Sequence, residues 1–234
     1  MFTLPIGLIL SALILFLSVD RSSLDLFMQP HAFFLVIGGS LAVFVLGTPW
    51  RVICNVFSSM RLLLDGEGVL VDHLRLFMSI SKDHKKALES KHALIHYAGQ
   101  LWEQGTEPDL FIALLSQKRT AIESELIDAI QAVKNAAKYP PALGMAGTVI
   151  GMIQLFSRLD GHKKEIGSSL AIAMTATFYG LILTNLVLSP LADRLHVKHL
   201  RNSRLNSDIY QVLLLVHRGH PTSLIEDEVM HRAA

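Results

Sequence analysis

His196 and His199 lie three residues apart, with Asp193 one helical turn earlier, a spacing with which a helix can offer ligands to a metal ion. The same stretch carries Arg194, Lys198 and Arg201, whose charge opposes a bound cation, so it reads as a solvated helix and no metal is assigned. Walker loops, dinucleotide fingerprints and nucleophile elbows are all missing, which argues against an enzyme and gives no cofactor. A different chemistry is suggested by Thr175, Thr177, Tyr179, Thr184 and Asn185, which interrupt the otherwise apolar run Leu170 to Leu188. Hydroxyls and amides at membrane depth are accounted for when they face other helices or a wet path. A second run, Pro140 to Phe156, sets Gly144, Gly147 and Gly151 on one small-residue face that lets another helix approach closely. Neither run holds Asp, Glu, Lys, Arg or His. A proton or sodium path through a membrane needs a group that takes up and releases the ion. Either the chain conducts nothing, or a partner helix brings the carboxylate.

The elements that would position these residues are helices. Apolar stretches run from Phe2 to Val19, Ala32 to Thr48, Pro140 to Phe156 and Leu170 to Leu188. Each is about as long as a spanning helix requires, roughly 17–25 residues. The first lacks the basic leader and small-residue cleavage site of a secretory signal, so a retained membrane helix is expected. Asp20 to His31 and Ser157 to Ser169 are short polar links within each pair. Between the pairs, Trp50 to Tyr139 is mostly polar with helical periodicity. Leu74, Phe77, Met78 and Ser81 share a spacing, as do Leu110, Ala113, Leu114 and Gln117, and then Ile122, Leu126, Ile127, Ile130 and Val133. Breakers are expected at Asp65-Gly66-Glu67-Gly68 and at Gly105-Thr106-Glu107-Pro108. A last helix runs from Ala192 to His217 and stops at Arg218-Gly219-His220-Pro221.

The expected fold is all-α: a polytopic membrane protein with four transmembrane helices and a cytoplasmic helical domain. Residues 1–49 hold the first two spans and 50–139 the cytoplasmic domain; 140–190 hold the last two spans and 191–234 a cytoplasmic helix and tail. Composition agrees, with 51% hydrophobic and only 18% charged residues and a mean hydropathy of +0.42, a balance for a chain shared between lipid and water. A net charge of +1 without a basic cluster indicates no nucleic-acid partner. The lone cysteine, Cys54, excludes an internal disulfide and reads as a small buried residue. Arg51, Arg61, Lys134, Lys138, Arg194, Lys198, Arg201 and Arg204 flank one side of the spans, against Arg21, Arg158, Lys163 and Lys164 on the other. That excess puts both termini, the central domain and the tail of this multi-pass chain in the cytoplasm.

The sequence resembles the MotA/PomA family of flagellar stator proteins, within the wider MotA/TolQ/ExbB group. Tyr139 to Gly151, YPPALGMAGTVIG, is similar to a family pattern near YAPAFGMIGTVIG. Ala173 to Ala192, AMTATFYGLILTNLVLSPLA, resembles ALLTTLYGALLANLVFLPLA, and Phe34 to Ala42, FLVIGGSLA, resembles the VIGGTxA of the second span. The tail Arg218 to Glu228 is similar to the family's short ending. The resemblance implies a homopentamer around a dimer of a MotB-like single-span protein that carries the ion-binding Asp and a peptidoglycan-binding domain. Ion flow would then rotate the pentamer and turn a flagellar rotor through a FliG-like protein.

Carried over by position, Thr148, Ala176, Thr177 and Tyr179 would line the ion pathway, while Pro141 and Pro190 would couple ion binding to conformational change. The family's threonine pair accompanies sodium use; Ala176 replaces one member here, which favours H⁺, with Na⁺ the alternative. The rotor contact falls on Lys82 and Glu89, with Ser81 at the usual arginine position. Two other readings stay open: an ExbB/TolQ-like or non-flagellar MotA-like energiser of another envelope machine, and a membrane scaffold that conducts nothing.

Overall fold

The computed structural model describes residues 3–18, 27–62, 74–157 and 163–233, and among them every regular element is helical. In chain order these are α1 (Thr3–Ser18), α2 (Pro30–Gly47), α3 (Trp50–Leu62), α4 (Leu74–Lys82), a 3-10 turn (His84–Glu89) and α5 (Ala93–Glu103). There follow α6 (Pro108–Ala136), α7 (Tyr139–Ser157), α8 (Lys163–Ile182), α9 (Ser189–His217) and α10 (Thr222–Ala233). Two single π turns interrupt the helical ladder: Phe34–Gly38 within α2, and Leu183–Leu188 between α8 and α9.

The local chemistry explains the boundaries. Pro30 and Pro108 open α2 and α6, where a missing backbone N–H costs nothing. Asp109 at the start of α6 and Lys134 near its end complement the helix dipole. Gly105 and Gly219 end α5 and α9 with φ of 64° and 70°. Each makes a Schellman closure: Thr106 N–H reaches the Leu101 carbonyl at 3.1 Å, and His220 N–H reaches that of Leu215 at 3.1 Å.

The chain divides into two compact units. The first comprises Met1–Leu64 and Asp128–Leu195, the second Asp65–Ile127 and His196–Ala234. In the first unit, residues such as Ile9, Phe34, Leu46, Val149, Ile153 and Phe156 are exposed on helix surfaces. So much apolar surface suits lipid or neighbouring subunits, not water. Among the described residues three helical stretches are long and apolar enough to cross a membrane, lying within Pro30–Gly47, Pro108–Ser157 and Gly167–His217. The expectation of four spans therefore rests on α1, of which Ile9–Ser18 is a shorter apolar helix. Val19, Arg21, Arg158 and the breaker at Asp65-Gly66-Glu67-Gly68 lie outside the described residues.

The second unit is a small helical domain whose core includes Phe77, Ile80, Leu94, Phe111, Leu115 and Leu213. Here one expected stripe is corrected. Leu110 is 52% exposed and Ala113 and Gln117 face outward too; Leu114 packs half-buried against the core, whose centre is reached by Phe111 and Leu115. Cys54 is corrected as well: it is exposed, because α3 turns Ile53, Val56 and Ser59 inward instead.

Candidate functional site

The closest helix pairing in the first unit is between α7 and α8, and glycine makes it possible. Gly144, Gly147 and Gly151 are buried along one face of α7. A Cβ on Gly144 would lie 3.0 Å from the Ala176 carbonyl oxygen and 3.1 Å from the Thr177 Cα. On Gly147 it would lie 2.5 Å from the Ala176 Cβ, and on Gly151 2.6 Å from the Ala173 Cβ. Gly180 answers from α8, where an added Cβ would lie 2.5 Å from the Pro140 carbonyl oxygen. The backbones thus approach to a distance only glycine and alanine permit. The α2 helix joins them through Gly39, whose Cβ would meet Leu143 Cδ1 at 3.0 Å, and through Leu35, which sits beside Gly147. Ala32, Val36 and Ala176 form a buried cluster, with Tyr179 packed against it.

Hydroxyls line this contact, and most are spent on backbone carbonyls. Thr177 Oγ1 points at the Gly144 carbonyl across a long 3.4 Å. Thr184 Oγ1 donates to the Ala137 carbonyl at 2.8 Å. The Tyr179 hydroxyl donates to the Phe27 carbonyl just before α2, and its ring meets Phe33 edge-on with centroids 6.1 Å apart. Thr148 bonds back to its own helix at Met145, 2.6 Å away. Of the four residues assigned to an ion pathway, Thr177 and Tyr179 are half-buried on α8 and Thr148 is half-buried on α7. Ala176 is fully buried, so in this chain its methyl group fills the space opposite Gly147. Pro141 sits in the first turn of α7, and Pro190 is the second residue of α9, just past the π turn Leu183–Leu188. A mainly apolar open groove runs beside Phe27, Leu170, Met174 and Phe178.

The segment carrying Lys82 and Glu89 lies in the second unit. The helix that sequence spacing extends through these positions breaks at Asp83, whose carboxylate caps the next turn by accepting from the Lys85 N–H at 3.1 Å. Lys82, Lys85, Lys86 and Glu89 are exposed, while Ala87 is buried. The turn is held on α5 by His96 Nδ1, 2.8 Å from the Leu88 carbonyl oxygen. It is also held by Gly99, where a Cβ would lie 2.9 Å from the Leu88 nitrogen. Next to it stands a ring stack that sequence reasoning missed. His84 lies over Trp102 with centroids 4.5 Å apart, and Phe111 over His217 at 4.0 Å. The Trp102 indole N–H donates to His217 Nδ1 at 2.9 Å. Burial, then the nearby His84 and Arg218, hold the His217 imidazole below its ordinary pKa. Burial likewise lowers His199, against the pull of Glu123, and His196 adds to the lowering. Among the described residues no three His, Cys, Asp or Glu side chains are placed to hold a metal ion.

The chain is 27% identical over 215 residues to Motility protein A of Cereibacter sphaeroides, covering 91% of this chain and 83% of that protein. It is 30% identical over 132 residues to Motility protein A of Borreliella burgdorferi, a match that takes in 54% of this chain and 48% of that protein. The solved flagellar MotAB stator complex from Bacillus subtilis shares the fold with a TM-score of 0.79 at 22% identity, covering 95% of this chain and 92% of the other. Residues 81–205, more than half of the sequence, match the model of one family. The chain belongs to the MotA/TolQ/ExbB proton channel family.

Proposed function

We propose that this chain is the ion-channel and torque-generating subunit of a bacterial flagellar stator. The observation that carries the reading is the α7–α8 contact. Its backbones touch through glycine, hydroxyls line it, and none of the apolar runs holds Asp, Glu, Lys, Arg or His. Such a contact can shape a path and change geometry, but it has no site at which an ion is taken up and released. A MotB-like partner with a single span supplies that carboxylate; the Bacillus relative solved as a MotAB complex supports this. Five copies of this chain surround two copies of the partner in the inner membrane, with four spans per copy and both termini cytoplasmic. Residues 50–139 and 191–234 form the cytoplasmic part.

In this scheme Thr148, Thr177 and Tyr179 flank the path, and Ala176 removes one oxygen from it. Protons are carried in preference to sodium, because stripping water from Na⁺ needs replacement oxygens. When the partner carboxylate changes charge, α7 and α8 shift at the ends marked by Pro141 and Pro190, where a backbone donor is missing. Lys82 and Glu89, exposed on the second unit, meet a FliG-like rotor protein, and charge complementarity sets their docking. The test is rotation of tethered cells in a clean deletion strain with and without a plasmid copy of this gene. Flagellated cells that turn only when the plasmid is present establish the role. Rotation unimpaired in a deletion strain that lacks any second stator gene set refutes it.

A further inference from the structure

Thr184 stands where the consequences of two prolines meet. Ala137 lies in the two-residue link between α6, which ends at Ala136, and α7, which begins at Tyr139, and Pro140 and Pro141 in the first turn of α7 have no N–H to offer its carbonyl. The Ala137 carbonyl is therefore stranded between α6 and α7. Thr184 Oγ1 fills the vacancy at 2.8 Å, from a position 47 residues further along the chain. This is not what a threonine in a helix does by default. Thr120, Thr148 and Ser40 all bond back to carbonyls of their own helices, and Thr177, which also faces α7, reaches the Gly144 carbonyl only across 3.4 Å. One turn before Thr184, Gly180 brings the backbones together, since a Cβ there would lie 3.0 Å from the Pro140 carbonyl carbon and 3.2 Å from the Pro141 Cα. At the other end, the π turn Leu183–Leu188 is closed by the Ser189 N–H on the Thr184 carbonyl, and Pro190 follows directly. The side chain of one residue serves the first proline, and its backbone serves the turn that leads into the second.

We propose that Thr184 is a latch: a positioning residue that holds the Pro140–Pro141 end of α7 on α8 and sets how readily the two proline-marked ends part. The proposal rests on the reading of Pro141 and Pro190 as the moving ends of a stator subunit. Among the described residues the bond to Ala137 is the one hydrogen bond the side chain makes across helices, so removing it loosens the first turn of α7 without emptying a core position.

The test compares Thr184→Val, which keeps the shape and loses the donor, with Thr184→Ser, which keeps the donor. Amide hydrogen exchange is read by mass spectrometry on the full chain in lipid nanodiscs, over peptides spanning residues 138–144. The valine variant is expected to exchange about five-fold faster there, equivalent to about 1 kcal/mol for one neutral hydrogen bond, while the serine variant stays close to the parent. Should the valine variant fail to accumulate, Thr184→Ala must show the same rise. Unchanged exchange without the donor overturns the latch, whatever machine the chain drives. In the complemented deletion strain, the valine variant is expected to alter tethered-cell rotation and serine to restore it. Faster exchange with rotation unaltered at every load overturns the coupling role. Failure of the parent gene itself to restore rotation counts against the stator reading, and the exchange result still decides the latch.

Discussion

Substituting Gly147 tests the α7–α8 contact most directly, because the clash it creates is known atom by atom. An alanine methyl there meets the Ala176 Cβ at 2.5 Å and Leu35 Cδ2 at 3.2 Å, while the Ala176 Cα stands off at 3.9 Å. Carbon atoms rest at about 3.5–4.0 Å, so Gly147→Ala forces the helices roughly 1 Å apart at that level. Overpacking of this kind costs about 1–3 kcal/mol, and alanine returns up to about 1 kcal/mol through helix propensity. At about 2–4 °C per kcal/mol, the midpoint of thermal unfolding in mild detergent falls by several degrees. The clash lies between two methyl groups, so Gly147→Ala combined with Ala176→Gly leaves the 3.9 Å contact and a flexible leucine end, and recovers most of the loss. Gly151→Ala behaves differently. Its methyl meets the Ala173 Cα at 2.9 Å and nitrogen at 3.0 Å as well as the Cβ at 2.6 Å, so Ala173→Gly rescues it only partly. Gly38→Ala, which meets nothing within 4 Å, is the control and leaves the midpoint unchanged or raised. A Gly147→Ala protein as stable as the parent, or one that Ala176→Gly fails to restore, would refute the packing argument.

The remaining expectations concern the path, the rotor and pH. Thr177→Leu places a bulky apolar group where a hydroxyl now faces the Gly144 carbonyl. Rotation should be abolished while membrane insertion, read by fractionation and immunoblot, is retained; unchanged rotation removes that face from the path. Glu89→Lys reverses an exposed charge, and since exposed pairs contribute about 0.2–1 kcal/mol, motility in soft agar should weaken several-fold at most. A compensating charge change on the rotor should partly restore it, and a fully motile Glu89→Lys strain excludes the contact. The His217 imidazole is held below its ordinary pKa by burial, His84 and Arg218, so the unfolded chain binds a proton more readily than the folded one. Stability from this site is therefore complete above the ordinary histidine value, about 6.5, and is lost as pH falls through the lowered folded value. Protonation also turns Nδ1 from the acceptor of the Trp102 N–H into a donor. With Trp50→Phe leaving Trp102 as the sole tryptophan, its emission should shift as pH is lowered below the ordinary histidine value until His217 protonates, and His217→Phe should suppress the shift.

How much of this is legible in the sequence depends on how far apart the interacting residues lie. The all-helical architecture is legible because helical periodicity and apolar runs are local properties. The stops at Gly105 and Gly219 are legible for the same reason, since a positive φ after a helical run has a local cause. Phase is not local. Leu110 with Leu114 and Phe111 with Leu115 are both spaced by four, so α6 offers two candidate stripes one residue apart. What selects the second is the stacking of Phe111 on His217 and Trp102, partners distant in the chain. Cys54 escaped for a related reason: its neighbours Ile53 and Val56 claim the inward face of α3, and a cysteine carries too little apolar surface to compete. At the candidate site, the glycine spacing names a face of α7 but not Ala173 and Ala176, the residues that face it. Thr184 is the instructive case. Its hydroxyl is one of several in an apolar run, and nothing adjacent singles it out. The signal lies elsewhere, at Pro140-Pro141, because two prolines just past a helix end cannot give its last carbonyls the N–H groups a continuing helix would supply, so a donor must arrive from elsewhere. Asking which carbonyl each proline strands, and which hydroxyl could reach it, turns a pair of helix-end markers into a specific contact. That contact joins the two ends whose relative movement a stator would need to control.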